Sequence, residues 1–178
     1  MPIHAAAVPL TGNQRNRRPM AETQTANATG LTDIEAPSWK GGVVAGVVGG
    51  AVMAAVMLMM NPAPIEVAIP SLYGLAPPPN GAAGLVVHLS HGAVLGVAFA
   101  GLVGVADIGD SRGTLLGAGV VWGVVTWVVL AALVMPAWLS VVGSPAQPPL
   151  PNFALPSLLW HVVYGVVAAA VLPAVDEL

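Results

Sequence analysis

Three histidines stand where few titratable groups are tolerated. His88 and His91 lie in the apolar run Gly81 to Ala106, as Val87-His88-Leu89-Ser90-His91-Gly92. His161 lies in a second such run, as Trp160-His161-Val162-Val163-Tyr164-Gly165. Both runs are long enough to cross a bilayer, where an ionisable side chain is rare, needs a partner and marks a functional site. An imidazole there can ligate haem iron, bind a soft metal, relay a proton or tie two helices together.

Each chemistry makes a different demand on its neighbours. A haem b held between His88 and His161 would gain room from the glycines one turn away, Gly92 and Gly165. That end of the helices, however, offers no Lys or Arg to pair with propionates, and closely packed glycine ridges leave little width. Copper would draw on His88, His91 and His161 together with Met57 and Met60, since Met53, Met57 and Met60 are spaced i, i+4, i+7, with Met59 and Met135 nearby. Imidazole and thioether suit Cu(I), but methionine is also the common filler of irregular apolar gaps. Helix glue needs only an acceptor across the interface, and Ser90 and Ser157 lie close in sequence. A proton- or ion-coupled carrier usually needs intramembrane carboxylates, and none of the apolar runs holds Asp or Glu. The favoured reading therefore has neither haem b nor copper, and no catalytic residue is named. Phosphate loops, nucleophile elbows and His-Glu-x-x-His motifs are missing from the sequence.

The elements that must position these residues are four apolar spans. The chain has 178 residues, of which 56% are hydrophobic and 7% charged, with a mean hydropathy of +0.82. So few charges cannot cover that much apolar surface in water, so the expected solvent is lipid. Eight acidic residues against five basic ones give no support to nucleic-acid binding. Cysteine is absent, which removes disulfides and thiolate sites. Residues 1 to 38 are polar, show no helical period and read as a disordered cytoplasmic tail; the membrane domain covers residues 39 to 178.

The spans are expected at about 41 to 60, 81 to 106, 114 to 135 and 155 to 175. Trp39-Lys40 anchors the first, and Asn61-Pro62 ends it. Residues 61 to 80 hold six prolines and form a loop, whose middle, Ile65 to Leu75, is apolar enough to tuck back against the bundle. Asn80 is the expected N-cap of span two. The polar turn from Asp107 to Gly113 makes spans two and three adjacent antiparallel helices, and Pro136 closes span three. All five basic residues fall before span one or in the turn between spans two and three, so the positive-inside rule puts both termini in the cytoplasm.

The fold class is thus all-α, a polytopic membrane four-helix bundle, and the halves look like a tandem duplication of a two-helix unit. Lys40-Gly41 and Arg112-Gly113 open the halves, Asn61-Pro62-Ala63 and Met135-Pro136-Ala137 close their first helices, and His88-x-x-His91-Gly92 aligns with His161-x-x-Tyr164-Gly165. Steps of four run through Gly84, His88, Gly92 and Gly96, through Ser157, His161 and Gly165, and through Gly42, Gly46 and Gly50. Small residues on one ridge let helices approach closely, which turns His88 and His161 into the bundle at similar depth.

This pattern of a Gly-rich first span ending in Asn-Pro, then His-x-x-His-Gly and His-x-x-Tyr-Gly, resembles small four-helix membrane proteins of unassigned function in prokaryotes, notably halophilic ones. The likeness covers about residues 40 to 175 and implies a fold rather than an activity. With loops this short, the expected role is a non-catalytic subunit or accessory of a larger membrane complex, such as a respiratory one. Its partners would be the lipid bilayer and either another membrane protein or further copies of itself. The competing roles are a haem- or copper-binding electron-transfer or metal-handling protein and a small membrane carrier.

Overall fold

The computed structural model describes residues 38–108 and 111–175. The tail expected over residues 1 to 38 lies, apart from Ser38, outside the described residues. Five helices follow in order: α1 (Trp39–Met60), the short α2 (Pro64–Ala68 continuing as Ile69–Ser71), α3 (Gly81–Val105), α4 (Arg112–Val141) and α5 (Leu155–Val175). All but α2 are long and apolar enough to cross a membrane, at 22, 25, 30 and 21 residues.

Local chemistry explains where the helices start and stop. Ser38, Asn80 and Ser111 cap α1, α3 and α4, each side-chain oxygen accepting a backbone N–H of the first turn, from Gly41, Ala83 and Thr114. At the end of α3, Ile108 N–H donates to Val103 O and Asp107 N–H to Gly104 O, with Asp107 at a φ of 51°. This is the paired-bond stop that usually uses glycine, here carried by a residue that also tolerates the left-handed region.

Pro136 does not close the third span. The helix runs through it to Val141, and the stretch Trp127–Val134 before it is wound as a π-helix. Proline removes the N–H that Ala132 O would receive four residues on, and that carbonyl accepts instead from Asn152 N–H at 2.8 Å. The same device operates in α2. Pro70 cannot serve Glu66 O, which accepts from Asn80 N–H at 2.7 Å. Away from water a freed carbonyl must be re-paired, and both loops return a backbone amide to do it. The expected loop at 61 to 80 is therefore part helix: Ile65, Ala68, Ile69 and Pro70 are buried against the bundle, while Glu66 stays exposed.

Glycine sets the packing. A Cβ at Gly42 or Gly46 would overlap the backbone of α3 at Gly96 and Gly92, and one at Gly92 or Gly96 would overlap α1. Gly119, Gly123 and Gly165 hold α4 against α5 in the same way, and Gly49 brings α1 onto Tyr164 of α5. Gly50 is looser, in ordinary contact with Leu89 and Gly92. The bundle is thus a chain of neighbours in the order α3, α1, α5, α4. The expected adjacency of spans two and three is corrected here. Their turn is short, but the backbones of α3 and α4 stay apart along most of their length, meeting through side chains such as Phe99 and Trp122, because each spends its glycine face on another partner. Two apolar clusters fill the interior. One, toward the end bearing Lys40 and Arg112, is built on Phe99, Val103, Leu115 and Leu172; the other, toward the far end, on Met53, Met57, Ile65, Trp160 and Tyr164.

Candidate functional site

Because α3 and α4 do not close on each other, a cavity of about 700 Å³ remains in the far half of the bundle. His88, His91 and His161 all line it, so the three histidines read from the sequence share one space. Among the described residues its wall carries no Asp, Glu, Lys or Arg and is made mostly of apolar side chains, with Trp160, Tyr164, Tyr73 and Trp138 among them. Two wall residues, Val94 on α3 and Val134 on α4, are 68% and 52% exposed. Toward the loop end, Tyr73 and Trp138 also line the cavity and are 60% and 50% exposed.

The hydrogen bonds decide what each wall group has left. His88, 8% exposed, reaches across to α1, where its Nε2 lies 3.1 Å from Gly50 O. A carbonyl only accepts, so Nε2 carries the proton and Nδ1 the lone pair. His161 takes the opposite tautomer: its Nδ1 donates to Ser157 O at 2.7 Å, one turn back on α5, which leaves Nε2 as the acceptor. His91 sits nearer the surface, its Nε2 at 2.7 Å from Tyr73 Oη, with the two rings 5.8 Å apart. Tyr164 donates its hydroxyl to Gly92 O at 2.8 Å and so ties α5 to α3.

The methionines divide. Met57 is buried in the wall, and Met53 beside it, whereas Met60 is 51% exposed and its sulfur accepts the Trp160 indole N–H at 3.3 Å. Among the described residues no group of three or more His, Asp or Glu side chains is placed to hold one metal ion. The serines expected as cross-helix partners act within their own helices: Ser90 Oγ donates to Val86 O, and Ser157 contributes its backbone carbonyl rather than its hydroxyl.

Some wall residues had no signal in the sequence. Tyr73 stands in a proline-rich loop, where nothing marks it as the partner of His91. Nor does anything in the sequence mark Trp138 as the donor to Leu72 O, at 3.0 Å, that pins α2 over the cavity. A second, almost wholly apolar cavity of about 420 Å³ lies along the same α3–α4 seam toward the other end, beyond the Phe99 and Trp122 rings, which stand 6.1 Å apart.

Four apolar helices of spanning length around an uncharged interior make this a small multi-pass integral membrane protein. No protein-family model, curated protein or solved structure matches the chain.

Proposed function

We propose that this membrane protein binds a lipid-soluble small molecule in the cavity between α3 and α4. The observation that carries the reading is the cavity itself: about 700 Å³, uncharged among its described lining, and walled by three imidazoles and by apolar side chains that include the exposed Val94 and Val134. Its volume and its mix of apolar wall with a few convergent polar groups are those of small-molecule sites in general. Exposed apolar wall residues on two spanning helices favour a ligand that arrives from the bilayer. The test is to purify the protein in mild detergent and take native mass, visible spectrum and metal content together. A retained organic molecule released on unfolding supports the reading; a Soret band or stoichiometric copper replaces it with a cofactor held by His88 and His161.

The accessory-subunit reading drew on the short loops and on small-residue ridges that could serve partners within the bundle or beyond it. Those ridges are spent inside the bundle, so it now rests on exposed apolar faces that lipid also satisfies. A carrier function has one supporting observation, the second cavity on the same seam, parted from the first by Phe99 and Trp122. Uptake of a lipid-soluble solute across proteoliposomes, raised by Phe99→Ala, tests it.

Two further parts of the proposal concern architecture. We infer that the basic end, with Lys40 and Arg112, faces the cytoplasm, so the histidine cavity lies toward the outer leaflet. We also infer a tandem duplication. In support, the close approach of Gly46 to Gly92 and Gly96 recurs at Gly119 with Gly165 and Ala169, in the same order and spacing. A parallel repeat would relate His88 to His161 about an axis along the membrane normal.

A further inference from the structure

We propose that the ligand of the histidine cavity is a neutral amphiphile whose head group brings hydroxyl donors, such as an alcohol, phenol or quinol, with its apolar tail leaving between α3 and α4. The inference rests on the cavity being a ligand site and adds what the ligand must be. Its first support is charge. Among the described residues no Asp, Glu, Lys or Arg faces the space, so an ionic head group would be buried without a counter-charge, which is costly at membrane depth.

The second support is the balance of donors and acceptors on the wall. His88 Nε2–H is committed to Gly50 O, His161 Nδ1–H to Ser157 O, Tyr164 O–H to Gly92 O, and the indole N–H groups of Trp160 and Trp138 to Met60 Sδ and Leu72 O. Five wall donors are thereby spent within the protein. The acceptors on the two histidines are not spent in the same way: His88 keeps the Nδ1 lone pair and His161 the Nε2 lone pair. His91 and Tyr73 share one bond and keep one donor and one acceptor in either tautomer, which leaves the balance unmoved, and the remaining side-chain donors, on Asn61, Asn152 and Ser157, belong to the far ends of α1 and α5 and the loop before α5. A wall that accepts more than it donates discriminates in favour of a ligand that donates. A ketone, ether or ester of the same shape would leave it unpaired.

The third support is the shape of the exit. Val94 and Val134 line the cavity and are also exposed, so a chain leaving between them passes straight from an apolar wall into lipid.

Tail-brominated para-alkylphenol, its methyl ether and the matching benzoate, titrated into the full-length protein in nanodiscs, test the inference through saturable quenching of tryptophan fluorescence, since Trp160 stands in the wall. The expected result is half-saturation by the phenol at about three- to tenfold lower bilayer concentration than the ether, with the benzoate weakest, for one hydrogen bond gained in a dry site. His161→Phe should keep saturable quenching and lose the preference for phenol. Where that variant does not fold, His161→Gln, which retains an acceptor, should keep the preference. Equal binding of phenol and ether overturns the hydroxyl requirement and leaves the cavity reading standing. Tightest binding of the benzoate overturns the neutral head group. No saturable quenching by any of the three removes the cavity reading itself.

Discussion

The side chains around the cavity differ in what they do for the fold, and substitutions should separate those roles. Tyr164 Oη makes an interhelical bond to Gly92 O that nothing else replaces. Tyr164→Phe should cost about 0.6 kcal/mol, the average for such bonds, and lower the thermal midpoint in mild detergent by about 1–3 °C. His88→Leu removes the link to Gly50 O, but that carbonyl keeps its place in the α1 ladder, so an effect of similar size is expected. A loss several times larger in either variant would mean that the histidine or tyrosine organises the bundle rather than its cavity. At this scale the sequence was informative about kind and poor about partner. The four-residue spacing turned His88 and His161 inward, whereas their acceptors, Gly50 O and Ser157 O, are backbone atoms that side-chain patterns do not reveal.

At the scale of elements, glycine positions and two prolines carry the architecture. Gly96→Val or Gly119→Val would push a branched side chain into the backbone of the facing helix, and little folded protein should be recovered in mild detergent. Gly101→Ala and Gly117→Ala meet nothing within 4 Å and should leave the thermal midpoint unchanged or slightly raised. Equal damage from both sets would contradict the assignment of close approaches. Pro136→Ala restores an N–H that competes with Asn152 for Ala132 O, so the Asn152 amide should exchange faster in hydrogen–deuterium measurements. Unchanged protection at Asn152 would show that the loop is held by other means. The span ends written in strong punctuation, Asn61-Pro62 and Asn80, were legible, as were the α1 and α3 glycine ridges. Pro136 misled because helix-stop rules assume that the carbonyl it frees stays unpaired, and the amide that re-pairs it comes from residue 152. The α2 turn was hidden by the same chemistry, with Pro70 relieved by Asn80. Gly119 and Gly123 went unread as packing sites because α4 holds two four-residue glycine pairs, Gly113 with Gly117 and Gly119 with Gly123, and only the second meets α5.

For the molecule as a whole, orientation and the nature of the cavity are open to direct test, and the cysteine-free chain makes single labels clean. With the basic end in the cytoplasm, Gln147→Cys should react with an impermeant thiol reagent in intact cells and Ala106→Cys only after lysis, both positions being exposed. The reverse pattern would invert the orientation. The number of spans was readable from hydropathy and length alone; the order α3, α1, α5, α4 was not, because a short turn predicts adjacency and carries no information about which glycine faces meet. That order leaves the seam between α3 and α4 open, and the claim that lipid reaches the histidines through it is the centre of the account. A nitroxide attached at Ala131→Cys, in the cavity wall and 8% exposed, reports on it most directly. In nanodiscs its relaxation should be strongly enhanced by dissolved oxygen, which partitions into lipid, and little by a water-soluble nickel complex. Strong relaxation by the nickel complex, or none by either, would contradict a cavity that opens to the bilayer.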